Sequence, residues 1–135
     1  MPLQQPIKLL FLWLLPLFAS ANHVHWMGNY DRALQKAHDM HKPLLVLVVA
    51  KDSPTSNTII KNVLMKQKYV DIINEKMTAV IVTYEGSQSY PVEMYYTTEF
   101  PTLFFVDSQK ELFFHEPLYG DEITKENVEK IVKAL

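Results

Sequence analysis

Two periodicities divide the chain. Ala33, Leu34, Ala37 and Met40 recur at helical spacing behind Asn29, whose side chain can cap a helix start, so the pattern predicts a helix over Asn29–His41. Lys42-Pro43 closes it, because the residue before a proline avoids the helical region. Pro43–Ala50 then runs apolar without alternation and is rich in Val and Leu, which predicts a strand buried on both faces. Lys51–Ser56 is a polar turn. Beyond it, Ile59, Ile60, Val63, Leu64, Val70 and Ile73 predict a second helix from Asn57 to about Asn74. Met77–Tyr84 is a second β-branched strand, and Ser89–Thr98 reads as a short helix with Pro91 near its first turn. Thr102–Asp107 and Glu111–Pro117 read as two strands joined by Ser108-Gln109-Lys110, a hairpin. Thr124 caps a closing helix to Leu135, with Val128, Ile131, Val132 and Leu135 as its apolar stripe.

The order is helix, strand, helix, strand, helix, strand, strand, helix. Its leading half supplies a βαβ unit with a right-handed crossover, and its trailing half adds an antiparallel hairpin and a helix. The expected class is α/β, with a mixed four-stranded central sheet and helices on both faces. Glycine occurs only at 28, 86 and 120, each at a predicted turn or element end, and no repeat or low-complexity linker interrupts the chain.

The first residues follow another pattern. Lys8 precedes the apolar run Leu9–Ala19, and Ala19-Ser20-Ala21 places small residues where a signal peptidase reads them. The run is about half the roughly 20 residues that span a bilayer. We therefore expect residues 1–21 to be a signal peptide, residues 22–135 to form one domain, and no stable membrane insertion after cleavage. The alternative is an uncleaved anchor. The expected location is outside the cytoplasm, the periplasm in a Gram-negative bacterium.

Charge and composition narrow the chemistry. A formal net charge of −2 without a basic stripe argues against a nucleic-acid partner. The chain has no cysteine, which rules out disulfides, thiolate catalysis and cysteine metal sites together.

Three stretches carry a resemblance. Lys42-Pro43-Leu44-Leu45-Val46-Leu47-Val48-Val49 is similar to the central strand of the thioredoxin superfamily, Ser53-Pro54-Thr55-Ser56 stands at the turn where that family places Cys-x-x-Cys, and Phe100-Pro101-Thr102-Leu103 is similar to its cis-proline loop. The match covers about Trp26–Leu135 and is closest to small exported bacterial thioredoxin-like domains. The resemblance implies the thioredoxin fold, a cis Phe100–Pro101 bond, and a groove at Pro101 that takes a protein or extended peptide. Phe100, Pro101, Thr102, Tyr95 and Tyr96 are the candidate binding residues there. It also marks what has gone. Serine fills both cysteine positions, Leu47 stands where the family often has a buried acid, and Asp52 where it often has tryptophan.

Exchange needs a thiolate, made when the fold lowers a cysteine pKa from about 8.5, and a serine hydroxyl cannot be brought into that range. Serine acts as a nucleophile only with a positioned base, and no histidine lies near Ser53 in sequence. Ser53 before Pro54 suits a helix cap instead. The sequence thus points to a protein with no catalytic residue and no cofactor that binds another protein. The rival reading is a Cys-to-Ser, inactivated version of a thiol-disulfide oxidoreductase of periplasmic redox homeostasis. A third is metal binding through His23, His25, His38 and His41, for which no carboxylate or cysteine completes a ligand set. The tyrosines 84, 90, 95 and 96 either pack the short helix or form an adhesive surface. Phe104, Phe105, Phe113 and Phe114 read as core or hairpin packing.

Overall fold

The computed structural model describes residues 24–51, 53–65 and 67–135. The expected signal segment, His23 and Asp52 lie outside them. Elements run in the order β1 (Trp26–Met27), α1 (Tyr30–Asp39), β2 (Leu44–Ala50), α2 (Pro54–Ile59), a π-helical segment (Ile60–Leu64), α3 (Gln67–Lys76), β3 (Thr78–Tyr84), β4 (Thr102–Asp107), β5 (Leu112–Tyr119), a 3-10 turn (Gly120–Glu122) and α4 (Lys125–Lys133). The sheet order is β1-β3-β2-β4-β5. β2 pairs parallel with β3 and antiparallel with β4, β1 is parallel to β3, and β5 is antiparallel to β4.

The apolar run at 44–50 is the centre of this sheet. Leu44 to Val48 are all fully buried, and alternation divides them between two cores. Leu45 and Leu47 join Leu103, Phe105, Val70, Ile73, Val128 and Val132 beneath α3 and α4. Leu44, Val46 and Val48 join Tyr30, Ala33 and Ala37 of α1, together with Tyr95, Phe104 and Val106. Helices on both faces explain why the run carries no polar alternation.

The expected caps form. Asn29 Oδ1 accepts from Arg32 N–H at 3.0 Å, and Thr124 Oγ1 accepts from Asn127 N–H at 3.2 Å. At the other end of α1, His41 takes a left-handed φ of 54°, with Lys42 N–H donating to Ala37 C=O and His41 N–H to His38 C=O. That geometry closes the helix before Pro43.

Three expectations need correction, and a fourth, core or hairpin packing of Phe113 and Phe114, resolves in favour of the hairpin. The sheet has five strands rather than four, because Trp26–Met27 adds a two-residue strand too short to show a period. The helix expected over 57–74 is broken. A π-helical turn at Ile60–Leu64 separates α2 from α3, and Leu64 in it is fully buried. Ser89–Thr98 forms a single turn on Pro91, whose C=O accepts from Met94 and Tyr95 N–H, and not a helix. Burial of Tyr95 and the backbone bonds of the Thr97 hydroxyl compete with helix there. Phe113 and Phe114 each keep about two-fifths of their surface exposed (41% and 39%), because β5 is an edge strand with register shifts that disrupt its alternation. They lean on Phe104 and Phe105, which are buried as expected, at ring distances of 5.3 and 6.1 Å.

Candidate functional site

Val48 lies opposite Thr102 in the β2–β4 pairing, so the exit of β2 toward Ser53 and the entry to β4 from Pro101 leave the sheet at one end. The turn at 53–56 and the loop at 97–102 are therefore neighbours by register.

The turn is built from local forces. Ser53 has an extended backbone, its Oγ accepts the Ser56 N–H at 3.2 Å, and Pro54 supplies the first-turn angle of α2. Ser53 is thus the cap its sequence suggests. No hydrogen bond joins either serine to a histidine, lysine or carboxylate among the described residues. Ser56 is 2% exposed and its Oγ has no hydrogen-bond partner. Leu47, at the position of the family's buried acid, is fully buried in the helix-covered core.

The loop is held by tertiary bonds. The Thr102 hydroxyl donates to Glu99 C=O at 2.6 Å, and the Thr97 hydroxyl accepts Glu99 N–H at 3.1 Å. The two hydroxyls lie 2.9 Å apart, buried. Pro101 C=O accepts Gly120 N–H at 2.8 Å, which ties the loop to the end of β5. The Phe100–Pro101 peptide bond is cis. The Phe100 N–H and C=O make no hydrogen bond among the described residues.

The five candidate binding residues separate. Tyr96 is 64% exposed and Phe100 is half-buried against Tyr84, at a ring distance of 5.3 Å. Pro101 and Thr102 are buried and shape the loop from beneath. Tyr95 does not face the groove. Its ring is 1% exposed, packs edge-on to Phe104 at 5.1 Å, and its hydroxyl bonds that of Tyr30 at 2.7 Å. Burial pushes the Tyr95 hydroxyl pKa far up, as expected for a neutral core phenol. The tyrosines thus serve both readings, Tyr95 as packing and Tyr96 as surface. Sequence reasoning missed Tyr119, and took Glu99 only as the loop's single charge; both line a cleft with Tyr96, Thr97 and Thr98 at the loop's outer side. Tyr119 lies 23 residues from Tyr96 in sequence, and the β4–β5 pairing, which sets Tyr119 opposite Thr102, brings the two together with the Pro101–Gly120 bond.

Among the described residues no group of three metal-ligating side chains occurs, and no helix is long and apolar enough to cross a membrane.

No family model and no curated protein matches the chain. Solved structures do. A DsbH oxidoreductase superposes with a TM-score of 0.68 at 18% identity, over 87% of this chain and 88% of its own. A thioredoxin from Thermus thermophilus gives 0.67 at 15% identity over 82% and 85%, and a disulphide isomerase from Xylella fastidiosa Temecula1 gives 0.58 at 16% over 84% and 98%. At these identities the likeness establishes the fold: the chain has the thioredoxin fold, and it carries it without a cysteine.

Proposed function

We propose that this is an exported thioredoxin-fold protein that binds an extended segment of another protein at the Pro101 loop and performs no thiol chemistry. The observation that carries the reading is the pair of backbone groups at Phe100 that are unengaged among the described residues, between a Glu99 backbone held by the Thr97 and Thr102 hydroxyls and a Pro101 C=O held by Gly120 N–H. Unpaired N–H and C=O groups on a rigid segment can be completed by an added strand. Export is supported by the leader-like pattern of residues 1–21, and the absence of cysteine removes exchange chemistry from whatever is bound.

Cross-linking in cells followed by pull-down tests it. Phe100→Asp should lose the partner that the unaltered protein retains, while Met40→Asp, exposed at the opposite end of the sheet, should keep it. Melting curves of both variants establish that each is folded. Equal retention by both variants sinks the groove.

One observation favours the rival reading, an inactivated oxidoreductase. A buried hydroxyl without a partner costs about 1–3 kcal/mol, whereas a thiol behaves as a small hydrophobe and tolerates the same surroundings. The Ser56 site therefore suits cysteine better than the residue it holds. In that reading the groove persists and only the chemistry is lost.

A further inference from the structure

The outer side of the Pro101 loop carries a cleft that the binding reading does not explain. It encloses about 310 Å³ and is lined by Tyr96, Thr97, Thr98, Glu99 and Tyr119. Two of its walls are aromatic rings that the core does not use: Tyr96 is 64% exposed and Tyr119 37%. The remaining charged group in the lining is a carboxylate.

That carboxylate stands on a rigid support. The Glu99 N–H and C=O are both engaged by the Thr97 and Thr102 hydroxyls, so the backbone beneath the side chain is fixed. Gly120 lies under it: a Cβ built there would come within 3.8 Å of Glu99 Oε2. The Tyr119 wall is fixed as well, through its N–H to Glu122 Oε1 at 3.0 Å and through the Gly120–Pro101 bond next to it. Preorganised groups lose less entropy when a ligand arrives.

The charged group lining the cleft is a carboxylate, Glu99. The stretch between Lys76 and Lys110, which supplies four of the five lining residues, has no lysine or arginine. Asp121 and Glu122 follow on the 3-10 turn, and α2, which packs against that turn, has no charged residue. Among the described residues neither Glu99 nor Asp121 forms an ion pair. A carboxylate between exposed aromatic rings is the environment that attracts a cation: the ring faces are negative, and the carboxylate completes the charge.

We infer that this cleft receives a lysine or arginine side chain of the segment bound at the Pro101 loop, so that the protein selects extended segments with a basic residue at one fixed position. The inference rests on the binding reading and adds a specificity to it. Glu99 and Tyr96 set that specificity, and Tyr119 forms the opposite wall. The contact makes binding salt-dependent, because the pair is exposed.

A random-peptide library displayed on phage, selected against the whole protein, tests it. Enriched peptides are expected to share a lysine or arginine at one position. Replacing that residue with norleucine in a selected peptide should weaken binding about tenfold at low salt, by loss of the cation–ring contact and the ion pair. Glu99→Gln should narrow that difference severalfold, and Tyr96→Ala should narrow it as well while weakening both peptides. Both residues are exposed, so neither change threatens the fold. Enriched peptides that carry no basic preference, or one that survives in Glu99→Gln, overturn the inference and leave the groove standing. No enrichment over Phe100→Asp used as bait removes the groove, and the inference with it.

Discussion

The turn at Ser53–Ser56 and the loop at Thr97–Thr102 leave the sheet at the same end, yet different forces hold them. The turn depends on one side-chain bond between residues three apart and on a proline, and it leaves the Ser56 hydroxyl buried without a partner. The loop depends on a buried pair of threonine hydroxyls around the Glu99 backbone and on a bond to the far end of β5. A locally held turn can change its chemistry with little effect on the rest of the fold. A loop whose hydroxyls and carbonyls complete one another loses more than one bond when a member goes. On that difference the turn could exchange its residues with less effect on the fold than the loop could.

The largest test of that contrast restores what the turn lacks. Ser53→Cys with Ser56→Cys should convert a protein inert in dithiothreitol-driven insulin reduction into one with measurable turnover, since the cap position at a helix start lowers a thiol pKa. A double variant that forms the disulfide but remains inert shows that the loss extends beyond the two sulfurs, to Leu47 and the residue at 52.

Next in size is Thr102→Val. The shapes match, so the change removes the hydroxyl alone: its bonds to Glu99 C=O and to Thr97 go, while the Thr97 hydroxyl still reaches Glu99 C=O at 3.0 Å. We expect a loss of about 0.5–1.5 kcal/mol in urea unfolding. An unchanged midpoint means that the loop is not held as described.

The two serines should then respond with opposite signs. Ser53→Ala removes the cap and should cost about 1 kcal/mol. Ser56→Ala removes an unpartnered hydroxyl and should be neutral or stabilising by up to about 1 kcal/mol. Equal destabilisation by both in the same urea series contradicts the view that the turn is held by Ser53 alone.

The smallest effect belongs to neither region and serves as their control. Across α3 and α4, Glu129 bonds Lys133, accepts from the Tyr69 hydroxyl at 2.9 Å and lies 3.2 Å from Lys68. The Lys133 ammonium, then Tyr69 and Lys68, hold the Glu129 carboxyl at about 2, below its usual 4.5. A carboxyl lowered on folding contributes stability above its unfolded pKa and loses it as pH falls toward the folded one. The melting temperature should therefore fall more steeply between pH 4.5 and 2 in the unaltered protein than in Glu129→Gln. The same pH dependence in both proteins places the acid response elsewhere.

Much of this molecule is set by the sequence alone. The unbroken apolar run at 44–50 requires a strand covered on both sides, Asn29, Ser53 and Thr124 are capping residues before helical stripes, and the missing cysteines close off thiol chemistry whatever the fold. These are local or compositional facts, and local side-chain to backbone bonds and period-based burial carry them without long-range contact. Tertiary structure decided the rest. Tyr95 and Tyr96 are adjacent and chemically identical, yet one is a core phenol bonded to Tyr30 and the other an open ring on the surface. The helix expected at 89–98 gave way to a single turn because burying Tyr95 and engaging the Thr97 hydroxyl outweigh local propensity. The cleft of Tyr96, Glu99 and Tyr119 joins residues that only the pairing of β4 with β5 brings together. No periodicity encodes such a meeting, because it depends on where two distant strands end in space and not on the spacing of residues along either one.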